Sequence, residues 1–188
     1  MSARCRSRSR ALALGLALVA SIAASHEARA DENEWFLGGG VDYVSVATPD
    51  ADDEEAPASV LHGAALALRA RYGPTDVFDL AASASITALP TAGAMAMEGT
   101  LGALYVIDTF QFVPTLGADA GVFAALPVPC DAEPCGATFR VSVGAPLALE
   151  WRATDALALG VRARYGLLLG GATVSTKLDA GLTAAVTL

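Results

Sequence analysis

Beyond residue 30 the chain has no apolar run of the length a spanning helix requires, about 20 residues, and positive charge is sparse. The first absence excludes an α-helical membrane span. The second weighs against a nucleic-acid partner, because neutralising phosphates takes clustered Lys and Arg. Helix-capping patterns are scarce, and no G-x-S-x-G, phosphate-cradling loop or metal-ligand motif occurs. No enzymatic activity, cofactor or metal is therefore expected. Cysteine is nearly missing as well, with Cys5, Cys130 and Cys135 as the full set.

What is present at the start is an export signal. Arg4, Arg6, Arg8 and Arg10 precede an Ala- and Leu-rich apolar run from Ala11 to Ala24, and Ala28-Arg29-Ala30 fits an A-x-A cleavage site. Residues 1–30 read as a Sec signal peptide, leaving 31–188 as one domain. Cys5 lies before the apolar run, which argues against a lipoprotein anchor. Five of the 12 basic residues and one of the 20 acidic residues lie in the leader, so 7 face 19 in the mature chain, a net charge of −12.

In the mature chain apolar residues recur at every second position, which is the period of a strand. The expected strands are 35–46, 59–72, 77–88, 96–107, 111–124, 138–151, 156–169 and 176–188. Segment seven sets Leu157, Leu159, Val161, Ala163, Tyr165, Leu167 and Leu169 against Ala158, Gly160, Arg162, Arg164 and Gly166. An even count of eight suits a closed single-chain barrel. Connections near 48–58, 89–95, 126–137 and 170–175 are long, while 73–76, 108–110 and 152–155 are tight, so long and short turns alternate between the two rims. The fold expected is all-β: an eight-stranded antiparallel up-and-down transmembrane β-barrel.

Every Lys and Arg after residue 30 falls on one face of these strands, and the opposite face carries no charge. The inward set is Arg69, Arg71, Arg140, Arg152, Arg162, Arg164 and Lys177 against Asp42, Asp79, Glu98, Asp119, Glu150 and Asp179. Near-balanced charge in a lumen just wide enough for its side chains reads as an ion-paired plug. On the apolar face Trp35, Tyr72, Phe78, Tyr105, Phe112 and Trp151 all lie at the short-turn ends, as an interfacial girdle would. Counting from a turn at Thr75 pairs Tyr72 with Phe78 and Arg71 with Asp79. A soluble barrel with its faces exchanged would alternate equally well, but a polar face made mostly of Gly, Ala, Ser and Thr suits a narrow lumen better.

The loops carry three further features. Asp50, Asp52, Asp53, Glu54 and Glu55 crowd the first long loop, where a solvated loop is the plain reading and divalent-cation bridging to lipopolysaccharide phosphates the sharper one. Cys130 and Cys135, with four residues between them in a Pro-containing loop, are expected to form a disulfide in an oxidising compartment. His62 is the one histidine left after cleavage. With Ser59 and an acidic loop residue it could furnish a lipid-hydrolase triad, although proximity in sequence does not define such a site.

The eight segments, the export signal and the loop rhythm together resemble the small outer-membrane barrels of the OmpA, OmpX and OmpW type. The stretch Phe110-Gln-Phe-Val-Pro-Thr-Leu-Gly-Ala-Asp-Ala-Gly-Val-Phe123 is similar to their aromatic, Pro- and Gly-rich strands. Such barrels often end in Phe, whereas this chain ends Val186-Thr187-Leu188. The resemblance implies an outer-membrane protein in contact with lipid and lipopolysaccharide, inserted by the barrel-assembly machinery and monomeric. A structural or surface-interaction role through the long loops is expected. The alternatives are a small pore or carrier for small or hydrophobic solutes, a lipid-modifying enzyme and a soluble ligand-binding barrel.

Overall fold

A computed structural model describes residues 33–50, 58–107, 111–127, 136–170 and 173–188. The leader, most of the acidic loop and both Cys130 and Cys135 lie outside the described residues. Eight strands follow in chain order: β1 Glu34–Thr48, β2 Ser59–Thr75, β3 Phe78–Leu89, β4 Ala94–Val106, β5 Phe112–Pro127, β6 Thr138–Thr154, β7 Leu157–Leu169 and β8 Ser175–Thr187. Each pairs antiparallel with the next, and β1 pairs with β8 from Phe36↔Thr187 to Ala47↔Thr176, so the sheet closes on itself. The strand order and the two faces are those expected from the period-two pattern. Closure satisfies the backbone along every strand and leaves no open edge.

The two tightest turns share a local solution. Thr75 precedes Asp76-Val77 and Thr154 precedes Asp155-Ala156, and their hydroxyls accept hydrogen bonds from the Phe78 and Ala156 amides at 3.1 and 3.2 Å. Each turn follows a register irregularity, between Tyr72 and Thr75 and between Arg152 and Thr154. The first turn, centred on Asp76-Val77 and not on Thr75, corrects the expected pairing together with its bulge. Tyr72 lies opposite Leu80, and Arg71 opposite Ala81, two residues from the positions counted outward from Thr75. Gly73 and Pro74 together face Asp79 in a bulge, the usual place for a proline that has no amide to give the ladder. A slip of two residues preserves the faces, so the inward and outward sets are unchanged.

The outer wall is a continuous apolar belt. Leu66, Leu68, Leu101, Phe139 and Leu182 are each about two-thirds exposed or more, and no outward strand position holds Asp, Glu, Lys or Arg among the described residues. A soluble monomer rarely exposes an apolar patch beyond a few hundred Å². A 13-residue strand such as β4, at about 3.3 Å per residue and a tilt near 40°, rises roughly 33 Å, enough to cross a hydrocarbon layer. At the short-turn rim the aromatics meet across strands. Trp35 faces Tyr72 with ring centroids 5.0 Å apart, Phe78 meets Tyr105 edge-on at 5.6 Å, and Phe112 lies opposite Trp151.

Candidate functional site

The lumen is layered along the barrel axis. Towards the long loops Val44, Val46, Ala65, Leu89, Ala96, Phe123 and Leu168 form one buried apolar cluster, with Thr87, Arg140 and Ser175 set among them. This layer was not anticipated from the alternation, which treats one face as polar throughout. Its signal lies in places where apolar residues stop alternating, such as Leu167-Leu168-Leu169 and Val122-Phe123, because at that depth lipid wets one face and the plug the other.

Beneath the plug lies an ionic layer centred on Arg164. Its guanidinium grips Asp119 through two donors, Nε to Oδ2 at 2.8 Å and Nη2 to Oδ1 at 2.6 Å, the bidentate geometry that makes Arg–carboxylate pairs strong. Nη1 lies 3.1 Å from Glu98 and 3.7 Å from Asp179, and Nη2 also donates to Ser142 Oγ at 2.9 Å. Lys177 completes the group, with Nζ 2.7 Å from Glu98 and 2.6 Å from Asp179. The backbone makes room for these groups: a Cβ on Gly144 would lie 2.6 Å from Arg164 Cζ. The inward glycine therefore supplies space that the guanidinium occupies.

The remaining inward charges divide between paired and unpaired. Arg69 donates to Asp42 at 2.5 Å, and Arg71 to Glu150 at 2.7 Å with Asp79 at 3.7 Å. Phe36, an aromatic that the sequence reading left out, lies under Arg71 with its ring centre 4.9 Å from Cζ, a cation–π contact. Arg140, at the long-loop end, bonds the hydroxyl of Ser175, which in turn bonds Thr48 at 2.9 Å. Arg152 lies at the short-turn mouth of the lumen. Arg162 makes no ion pair or hydrogen bond among the described residues. The set of seven cations and six anions is thus not a set of one-to-one pairs. Arg164 and Lys177 share three carboxylates in the middle of the barrel, and Arg162 borders the same group, lining a small space with Asp42, Glu98 and Asp179.

The expected His62 and Ser59 of a hydrolytic triad do not meet, and most of the acidic loop that would supply its third member lies outside the described residues. His62 points outward from β2 and is hydrogen-bonded through Nδ1 to the Tyr43 hydroxyl at 2.6 Å. Ser59 has odd parity on the same strand, and its hydroxyl contacts the Thr48 carbonyl at 3.5 Å. A nucleophile and its base must share a hydrogen bond or come within reach of one. We expect His62→Ala to leave the lipid composition of the host envelope unchanged, measured by mass spectrometry of extracted lipid; a change in acylation would restore the enzymatic reading.

A closed up-and-down barrel of eight strands, apolar outside and charged within, is the architecture of the small outer-membrane barrels. Solved structures share this fold. Neisserial surface protein A is similar with a TM-score of 0.66 and 14% identity, covering 82% of this chain and 99% of that one. The outer-membrane protein OprG from Pseudomonas aeruginosa is similar with a TM-score of 0.58 and 13% identity over 84% of this chain and 96% of its own. The N-terminal β-barrel domain of Pseudomonas aeruginosa OprF gives 0.53 and 14% over 84% and 98%. No protein-family model matches the chain, and no curated protein does.

Proposed function

We propose that the protein is exported, inserts in the outer membrane as a monomer, and serves as a non-enzymatic structural or surface-interaction protein that presents its long loops on a closed wall. The observation that carries this reading is the apolar plug. Val44, Leu89, Phe123 and Leu168 fill the lumen just below the long-loop rim, with the Arg164–Lys177 carboxylate layer beneath them. Apolar bulk at that depth opposes passage of an ion, because desolvating one there would be costly. In this reading the outward aromatics at the short-turn rim anchor the barrel at the inner interface.

The test is planar-bilayer conductance of the refolded protein, after heat-modifiable migration has identified the folded species in outer-membrane fractions. We expect no resolvable conductance steps from the wild type. Regular open steps would overturn the plugged reading in favour of a small pore.

A further inference from the structure

Below the ionic layer, in the half of the barrel nearer the short turns, the lumen opens into a cavity with about 80 Å³ of room for water-sized molecules. A buried water needs only about 10–15 Å³ on that measure, so the space holds several waters or one small polyatomic ion. Three guanidinium groups line it, Arg69, Arg71 and Arg162, together with the hydroxyls of Thr115, of Thr183, which donates at 3.4 Å to the Gly39 carbonyl, and of Ser83 and Thr100, whose mutual hydrogen bond leaves one of their two protons free. Two carboxylates also reach the wall, but both are committed: Asp119 is held by both forks of Arg164, and Glu150 by Arg71. Arg69 has its own partner in Asp42.

Arg162 is the exception. It lines the cavity without an ion pair or hydrogen bond among the described residues, and it lies close enough to Arg69 for the two charges to repel. A guanidinium keeps its charge at any physiological pH. On its other side Arg162 lines a small space with Asp42, Glu98 and Asp179, but those carboxylates are bonded to Arg69, Arg164 and Lys177, so the donors of Arg162 itself are left for an anion. A smaller space at the short-turn end shares Phe36, Arg71 and Glu150 with it and is also lined by Arg152, Asp76, Asp79 and Asp155, which places the cavity on the side opposite the apolar cluster.

We propose that this cavity is a binding site for a small oxyanion, such as phosphate or a carboxylate group, held by Arg162 and Arg69 with the lumen hydroxyls as additional donors. The chemistry favours an oxyanion over a spherical halide, because a planar guanidinium fork matches two oxygens and hydroxyl donors supply the rest. The site is independent of what the long loops contact, and it goes beyond the plugged-barrel reading. A barrel that conducts would still contain it.

The experiment uses the folded full-length mature chain in an uncharged detergent, titrated with inorganic phosphate, with acetate and with chloride at matched ionic strength. The readouts are the thermal midpoint of heat-modifiable migration and the NMR signals of the arginine Nε–H groups. We expect saturable stabilisation by phosphate or acetate, with shifts at Arg162 and Arg69, and little effect of chloride. Arg162→Gln is expected to weaken the apparent affinity by about tenfold or more, the loss of a charge-assisted contact. Arg162→Lys, which keeps the charge and guards against a folding defect, should restore part of it. Equal responses to all three salts, or an unchanged phosphate affinity in Arg162→Gln, would overturn the site.

Discussion

Arg164→Met is expected to destabilise the barrel by about 3–5 kcal/mol, the cost of removing one partner from a buried ion pair. The measurement is the urea midpoint for loss of the compact, heat-resistant form in lipid vesicles. The expectation rests on what Arg164 leaves behind. Its side chain is 2% exposed and serves Asp119, Glu98 and Asp179 at once. Lys177 still neutralises Glu98 and Asp179 after the substitution, but Asp119 loses both of its guanidinium donors. A carboxylate so placed must either bind a proton or draw water into the layer. Arg162→Met provides the contrast, since in the absence of a bound anion that side chain has no ion pair to lose. Equal losses from the two substitutions would mean that the central network contributes no more than its volume.

The second large effect is on the outer wall, where Leu101→Arg is expected to cost about 2–4 kcal/mol and Phe139→Arg about 0–1. The two side chains are almost equally exposed, 71% and 69%. In water such positions would tolerate arginine about equally. In a bilayer they differ by depth, because Leu101 lies at the middle of β4 while Phe139 is the second residue of β6, at the long-loop end. Stability in vesicles, read by the same urea midpoint, separates the two cases. Similar small costs at both sites would mean that the wall faces water and that the inner and outer faces have been exchanged.

The parts of this structure that could be read from the residues are those governed by local periodicity. Arg69 and Arg71, or Arg162 and Arg164, can be sorted to one face by counting, because a strand alternates every residue and a charge facing lipid is prohibitive. The existence of each turn follows from Gly, Pro and Asp clusters in the same way. The alignment of β2 against β3 could not be counted, because the turn falls at Asp76-Val77 and not around Thr75, and the Gly73-Pro74 bulge then adds a residue to one strand only. The pairing of charges was hidden for a different reason. Arg71 meets Glu150 and Lys177 meets Glu98, in both cases 79 positions away across the lumen. Those contacts depend on barrel shear and on side-chain length, neither of which has a signature in a linear pattern. The plug was obscured by the polar-face rule itself, since Val44, Phe123 and Leu168 occupy positions that alternation assigns to polar residues.

The seam between β1 and β8 has a consequence for how the chain could be rearranged. The last amide, on Leu188, donates to the Trp35 carbonyl at 2.8 Å, so the two ends of the barrel chain lie side by side at the short-turn rim. A ring of strands has no intrinsic first member. A gene opened within any one long loop, with a brief linker joining Leu188 back to Asn33, would encode every strand pair and every lumen contact in cyclically shifted order. The start of translation would then emerge on the opposite rim, giving a permutant whose tag sits with the long loops.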